Sequence, residues 1–579
     1  MPIFRGIPAS PGFAAGPACP VLSQTIDVQR YRVENTALEL ARFESALAAA
    51  RKQLTGIAEQ AHGALPAAEA AIFEAHILIL DDPELGDQVR QQVQDAGWNV
   101  EAAWDGAINA YAQILAGMDN EYLAARAADV RDVGRRVLRL LLNLPEDTFT
   151  IGSRPAIIVA RDLTPSDTIR LDRRRVLAFC TAEGGPTSHT AILAKSLGIP
   201  AVVGAGAQLL AIPAGTHLLV DGERGEVLAE PDAAAAADFQ ARSGRFAIRA
   251  AEALHRASEP AQTRDGKRVE VVANIGGVED ARTALAYGAE GVGLFRTEFL
   301  YLERQSAPDE QEQTTAYAAV MQVMETRPVV VRTMDIGGDK ELPYLDLGRE
   351  ANPFLGCRAI RISLAEPEMF KVQLRALLRA AGGVCDMRIM FPMIATLAEV
   401  RQAKALLAEA RRELQAAGAP LPDRLQAGIM VEIPSVVVLA DQFAQEVDFF
   451  SIGTNDLTQY TFAAERTNEK VAYLADACHP AILRQIQTVI DAAHRRGIWA
   501  GVCGELAGDP DAAPLLLGLG LDEFSMAPTQ IPLIKSVLRC WSVTEARALA
   551  LQALQTESAE EVRALVRASP PASIQTHVG

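Results

Sequence analysis

Cysteine is scarce and scattered in this chain. Its seven cysteines, Cys19, Cys180, Cys357, Cys385, Cys478, Cys503 and Cys540, include no Cys-x-x-Cys pair, which argues against both a disulfide framework and a zinc site. Positive charge is also in short supply: 55 Lys and Arg face 73 Asp and Glu, a formal net charge of −18. A surface of that sign disfavours nucleic acid or an anionic membrane as the main partner. An anionic ligand would have to be met by a local cluster of arginines. No apolar stretch is long enough to span a bilayer, and the opening Met1-Pro2-Ile3-Phe4-Arg5-Gly6-Ile7-Pro8 lacks the hydrophobic region of a signal peptide. These absences together predict a soluble protein of a reducing cytoplasm, without membrane insertion.

What is present is enough for several domains, because 579 residues exceed what one core organises. Residues 1–30 read as strand and turn, and the short β-type runs Ala156–Ala160, Val176–Cys180, Ala201–Gly204 and Leu218–Asp221 continue the same pattern. They predict one compact α/β domain over 1–30 and 145–231. The intervening residues 31–144 are rich in Ala, Leu, Glu and Arg, with Phe43, Leu47, Leu54 and Ile57, and later Val130, Val133, Val137, Leu138 and Leu141, at helical spacing. This predicts an inserted helical bundle, its hairpins closed at Asp81-Asp82-Pro83 and Asp119-Asn120. Residues 232–261 read as a helical linker. From 262 to 579, eight apolar runs, Val269–Ala273, Gly291–Phe295, Val329–Val331, Ile389–Phe391, Gly428–Val431, Phe449–Ile452, Trp499–Val502 and Glu523–Met526, alternate with helical patterns, which predicts a (β/α)8 TIM barrel.

Two constellations carry chemistry. In Gly184-Gly185-Pro186-Thr187-Ser188-His189-Thr190 an imidazole follows a diglycine and stands among hydroxyls, just before the apolar-periodic run from Ala191. Read on its own the segment has a plain alternative, an ordinary core or surface histidine. With a helix start behind it, His189 reads as a nucleophile that can carry a phosphoryl group. The second constellation lies at the C-terminal ends of the barrel strands, where such folds collect function: Asn274, Arg296, Arg332, Met393, Glu432, Asn455, Asp456 and Cys503. Arginines at neighbouring strand ends suit bidentate capture of phosphate or carboxylate. Glu432 and Asp456 are hard oxygen ligands of the kind Mg2+ takes with substrate phosphate. Each residue alone has a simpler reading: Arg296 with Glu298 as a strand-end ion pair, the two acids as helix caps, Cys503 as one more small buried residue. Their convergence on one mouth favours a site.

The stretches Gly184–Ala194, Gly291–Phe299, Arg332–Lys340, Asp448–Tyr460 and Gly501–Glu505 resemble the signatures of enzyme I of the bacterial sugar phosphotransferase system, the phosphoenolpyruvate-protein phosphotransferases. The resemblance extends over essentially the whole chain. It implies that the phosphoryl group of phosphoenolpyruvate passes to His189, with Thr168 hydrogen-bonding the ring, and then to a histidine-containing phosphocarrier protein that docks on the helical insertion. It further implies that Arg296, Arg332, Asn455, Arg466 and, close by, Arg358 hold phosphoenolpyruvate, that Glu432 and Asp456 ligate Mg2+, and that Cys503 protonates the enolate carbon. A barrel-mediated homodimer and a swivelling phosphohistidine domain follow from the same resemblance.

Pro186 stands where the family usually has a basic residue, Glu465 where Asp is common, Ile433 where Thr is common and Cys357 where tryptophan is often seen. None removes a residue assigned to chemistry. A pyruvate phosphate dikinase or phosphoenolpyruvate synthase would need an ATP-binding domain, for which there is neither a Gly-rich motif nor spare length. A non-catalytic phosphoenolpyruvate sensor would need the arginines but not His189 and Cys503. The nitrogen-regulatory paralogue of enzyme I is harder to separate; without an N-terminal sensory domain, the carbohydrate branch is expected. His76 reads as a carrier contact or a half-buried helix histidine, and His479 as the end of a loop rather than a metal ligand.

Overall fold

The computed structural model describes the chain except residues 1, 22–25, 27, 65–75, 117–120, 145–153, 164–174, 186–187, 303, 305, 339–341, 343, 346–347, 349, 383–385, 423, 466–470, 472–473 and 573–579, and except the side chains of 58–64, 114–116, 121–128, 189, 192 and 196. It divides into two compact units, Met1–Phe246 and Ala247–Gly579.

The first unit joins an α/β sheet to a helical bundle. Strands β1 (Ile3–Arg5), β2 (Ile7–Ser10), β3 (Phe13–Val21), β4 (Ala156–Ala160), β5 (Val176–Thr181), β6 (Ala201–Val203), β7 (His217–Asp221) and β8 (Glu226–Ala229) form one sheet in the order β1-β8-β7-β3-β4-β5-β6-β2. Its centre is parallel, β3 to β6, and its flanks are antiparallel. Ile157, Val159, Ala178 and Cys180 pack on one face, and Ile158, Ala160 and Phe179 on the other. That explains why the central strands read as continuous apolar runs rather than alternating ones. The short edge strands β1 and β2 carry no such run.

Helices Thr36–Ala64, Pro83–Ala96, Val100–Ala116 and Glu121–Leu141 make the bundle. Phe43, Leu54, Val130, Val133, Val137 and Leu138 are buried in its core around Trp104, whose indole N–H donates to the Gly134 carbonyl at 3.0 Å. Burying each large apolar side chain contributes about 1.5–3 kcal/mol. The break at Asp81-Asp82-Pro83 is a built helix start: the Asp82 carboxylate accepts from the Glu84 N–H at 2.9 Å, with Pro83 at the first helical position. A second break, at Gly97-Trp98-Asn99, has no counterpart in the sequence reading; Gly97 takes the left-handed conformation that ends the preceding helix. The expected break at Asp119-Asn120 lies outside the described residues. His76 is fully buried, not half-buried, and faces Asp129 at 3.3 Å and Asp132 at 3.8 Å, so it has no surface to offer a carrier.

Helix Ala233–His255 follows, and the second unit is a closed barrel. Its parallel strands are β9 (Glu270–Ile275), β10 (Val292–Arg296), β11 (Val329–Arg332), β12 (Met387–Phe391), β13 (Gln426–Val431), β14 (Phe449–Ile452), β15 (Trp499–Val502) and β16 (Glu523–Met526), each pairing with the next and β16 closing on β9. Inward-facing Leu294, Val330, Met390, Met430 and Phe449 fill the interior, and residues of the opposite parity pack against the surrounding helices. Among the described residues no helix is long and apolar enough to cross a membrane.

Candidate active site

The barrel's alternation dictates which side chains reach its mouth. Leu294, Val330 and Met430 face the axis, so Arg296, Arg332 and Glu432, each two residues further on, emerge on the same side where the strands end. Arg296 and Arg332 are direct partners in the β10–β11 ladder. Arg296 is exposed and forms no ion pair with a described residue, whereas Arg332 is buried.

Arg332 Nη2 donates to Glu298 Oε1 at 2.7 Å, and its Nη1 lies 2.8 Å from Asp335 Oδ2. The ion pair of Arg296 with Glu298 suggested by their closeness in sequence is not formed. Glu298 opens the 3-10 turn Glu298–Leu300 after β10 and is turned to the neighbouring strand's arginine. Thr297 Oγ1 ties the two strand ends by donating to the Arg332 carbonyl at 2.9 Å, and Gln373 Nε2 in turn donates to Thr297 Oγ1 at 3.1 Å.

Arg358 enters from a loop rather than a strand. Its Nη2 donates to Asp335 Oδ1 at 3.1 Å and lies 3.8 Å from Asp456 Oδ2, while Nη1 donates to the Tyr460 hydroxyl at 3.2 Å. Gly337 makes this approach possible. It sits at φ +103°, and a Cβ there would stand 2.6 Å from Arg358 Cβ and 2.8 Å from the Cys357 carbonyl oxygen. Asp335 is thus shared by two buried arginines. Burial pulls both guanidinium pKa values down, but the surrounding carboxylates more than offset it, and both remain fully charged.

Glu432 is wholly buried just past β13, and its Oε1 accepts the backbone N–H of Met393, which holds a left-handed φ of +54°. Its other oxygen, Oε2, has no hydrogen-bond partner among the described residues, and neither has Asp456 Oδ1. Burial, then Asp456 and Asp335, pushes Glu432 up to about 8 against the pull of Arg358 and Arg332. Asp456 stands in the first turn of helix Thr454–Phe462, where the N-terminal amides favour an acid. Among the described residues no group of three or more His, Cys, Asp and Glu is assembled to hold a metal. A pair of carboxylates with two orphaned, buried oxygens does fit a hard divalent cation that completes its shell with ligand phosphate and water.

Cys503 follows β15, with 3 % of its surface exposed. Its thiol faces the Ile452 carbonyl at 3.7 Å, and burial pushes it up to about 11, so it is a protonated thiol at neutral pH. Asn274 Nδ2 donates to the Cys503 carbonyl at 3.0 Å and Asn274 Oδ1 accepts from Ser525 at 2.6 Å, which fixes the strand end. Asn455 accepts from the Glu505 N–H at 3.2 Å.

The structure therefore brings Arg332, Arg358, Glu432, Asp456 and Cys503 into one buried mouth, with Arg296 and Asn455 at its rim. Thr168, Arg466 and Pro186 lie outside the described residues. Of His189 only the backbone is described; it opens helix His189–Leu197, capped by the Ser188 side chain, which accepts from the Ala191 N–H. His479 caps helix Pro480–Arg496, its Nδ1 accepting from the Ala481 N–H at 3.1 Å, so the loop-end reading holds. Sequence reasoning missed Asp335, Glu298 and Tyr460 as parts of the site. All three lie inside the stretches that carry the family resemblance.

Three family models match in chain order: the N-terminal domain of PEP-utilising enzymes over residues 5–126, the mobile domain over 152–225 and the PEP-binding domain over 250–543. A barrel with this mouth is the phosphoenolpyruvate-binding part of a phosphoenolpyruvate-utilising enzyme. A phosphoenolpyruvate-protein phosphotransferase of Bacillus sp. (strain S) is 48% identical over 97% of this chain and 97% of its own. That of Bacillus subtilis (strain 168) is 47% identical over 98% of this chain and 99% of its own. The chain belongs to the phosphoenolpyruvate-protein phosphotransferase family. Among solved structures, the NMR solution structure of Enzyme I (nEIt) is 35% identical, covers 42% of this chain and 99% of that one, and superposes with a TM-score of 0.37.

Proposed function

We propose that the barrel mouth binds phosphoenolpyruvate, that His189 takes its phosphoryl group, and that pyruvate is released before the group passes to a histidine-containing phosphocarrier protein. The observation that carries this reading is the juxtaposition of two buried arginines, two carboxylates with orphaned oxygens and a protonated thiol. Arg332 and Arg358, with Arg296 at the rim, neutralise the phosphate and carboxylate of the ligand; Asn455 and Arg466 complete its binding. Glu432 and Asp456 would hold Mg2+, which when bound supplies charge neutralisation to the phosphoryl oxygens.

Phosphoryl transfer needs positioning and charge compensation more than covalent help. The P–O bond to the enol oxygen breaks as the bond from the His189 ring nitrogen to phosphorus forms, with Thr168 orienting the ring. The enolate electron pair then takes the Cys503 proton at the methylene carbon, giving pyruvate and a thiolate. A thiol that stays protonated at neutral pH suits that donor role. His189 belongs to the α/β domain of 1–30 and 145–231 and the mouth to the barrel of 262–579, so transfer needs the former to swivel, with 232–261 as the connecting helix. The bundle of 31–144 is the docking surface for the carrier. A cytoplasmic homodimer joined through the barrel is the form in which we expect this cycle to run.

The test is incubation of the purified protein with phosphoenolpyruvate and Mg2+, followed by intact-mass and peptide analysis for an acid-labile phosphoryl group. Phosphate on His189 with stoichiometric pyruvate is the expected result, lost in His189→Ala. Bound phosphoenolpyruvate with no modification would instead make the protein a sensor.

A further inference from the structure

The barrel carries more chain than its eight strand-helix units need. Helix Ile531–Cys540 completes the eighth unit, yet helices Val543–Ala553 and Ala559–Ala568 follow it. Val562 and Val566 of the last helix are buried in the barrel's outer core. Arg563 and Arg567, each one position further on, repeat the same four-residue spacing and so share the neighbouring stripe of that helix. The stripe faces Asp476, Asp509 and Asp511, which end two segments of chain that leave the mouth.

The first segment joins helix Thr454–Phe462, which bears Asn455 and Asp456, to helix Pro480–Arg496. In sequence it holds Arg466. Asp476 closes it: its Oδ1 accepts the Cys478 N–H at 2.9 Å, and its carbonyl accepts the His479 N–H at 3.0 Å. The second segment starts at Cys503. Gly504 lies against Thr454 with no room for a Cβ, the Glu505 N–H donates to Asn455, and the 3-10 turn Glu505–Gly508 ends at Asp509. Arg563 joins the two ends. Its Nε and Nη2 donate to Asp476 Oδ2 and Oδ1, both at 3.1 Å, and its Nη1 donates to Asp509 Oδ2 at 2.7 Å. A guanidinium fork on one carboxylate, with a third N–H on another, fixes angle as well as distance, which a point charge would not. The Arg563 side chain is 27% exposed beside an open cleft of 640 Å³ whose wall includes Phe462, His479 and Ser558, so shortening it admits water rather than leaving a dry void.

We propose that Arg563 is a positioning residue for phosphoenolpyruvate binding: from a helix outside the eightfold repeat it clasps the segment that holds Arg466 to the turn that holds Cys503 and braces Asn455. It touches no ligand itself. A partly exposed ion pair contributes little to global stability, so the clasp acts chiefly on the placement of what it joins. Holding ligand-binding groups in place before the ligand arrives raises affinity, because the cost of ordering them is no longer met at binding. The inference rests on the reading of the mouth as a phosphoenolpyruvate site.

The experiment titrates phosphoenolpyruvate with Mg2+ into the full-length protein by calorimetry, in a His189→Ala background so that the ligand is bound and not consumed. Calorimetry reads affinity and the fraction of competent sites separately. Arg563→Gln is expected to weaken affinity by about tenfold or more, with the fraction of competent sites unchanged. Asp509→Ala releases one arm of the clasp, is expected to act in the same direction, and carries the test if Arg563→Gln does not fold. A fall in competent sites at unchanged affinity would mean a merely structural role and overturn the proposal. Affinity and site fraction both unchanged would overturn it too. If the background protein with its clasp intact bound no phosphoenolpyruvate, the reading of the mouth would fail, and the role of Arg563 with it.

Discussion

Arg332 and Glu298, from adjacent strand ends, meet at 2.7 Å with 8% and 2% of their side chains exposed. The pair holds the guanidinium flat against the mouth and leaves its far edge to Asp335. A buried charge that loses its partner is expensive. Glu298→Ala is expected to destabilise the barrel by about 3–5 kcal/mol, read as a lower midpoint in urea, and to raise KM for phosphoenolpyruvate more than it lowers kcat.

Gly337→Ala tests the loop that delivers Arg358. The new methyl group would meet Arg358 Cβ and the Cys357 carbonyl at under 3 Å, from a backbone conformation that disfavours a side chain. Weaker phosphoenolpyruvate binding by calorimetry is expected, by about tenfold or more, with the fold retained.

Cys503→Ala should spare phosphoenolpyruvate binding and slow pyruvate formation by about 10²–10⁴-fold. Binding by calorimetry and pyruvate by a coupled dehydrogenase assay separate the two. A variant turning over like the parent would exclude Cys503 as proton donor.

Glu432→Gln keeps the hydrogen bond acceptor for Met393 but removes a charge from the candidate cation site. The midpoint for Mg2+ activation should rise by about tenfold or more, about 1.4 kcal/mol, and Mn2+ binding followed by electron paramagnetic resonance should weaken in parallel.

The buried Glu523 predicts a pH dependence of stability. In the unfolded chain it ionises near the ordinary glutamate value, 4.5, whereas the folded barrel holds it at about 8. Between those values the native state binds the extra proton, so its contribution is fully present below about pH 4.5 and is lost as pH rises to about 8. Urea unfolding across that range should show stability falling by up to about 1.4 kcal/mol per pH unit from this group. Glu523→Gln should flatten that part of the slope.

The barrel strands were legible because each is buried on both faces and so reads as a compact apolar run; Phe449–Ile452, Trp499–Val502 and Glu523–Met526 begin and end where the sequence places them. Arg332, Glu432 and Cys503 were legible for a related reason: a polar residue ending such a run has few places to go but the mouth. The counter-charges were not. Whether Glu298 answers Arg296 or Arg332 depends on the turn that follows β10 and on ladder register, neither of which leaves a mark in a single sequence. His76 was misjudged because helical spacing fixes a side chain's direction but not the depth of the bundle covering it.

The sharing of Asp335 has a consequence for selectivity. Among the described residues Glu298, Asp335 and Asp456 are set against Arg296, Arg332 and Arg358, three acids to three bases, with Glu432 held up at about 8 beside them. A highly charged anion arriving alone finds no net attraction there, and a dication arriving alone finds two arginines within reach of its carboxylates. Each visitor cancels what repels the other. The mouth is thereby expected to act as a coincidence detector, admitting the pair far more readily than either member.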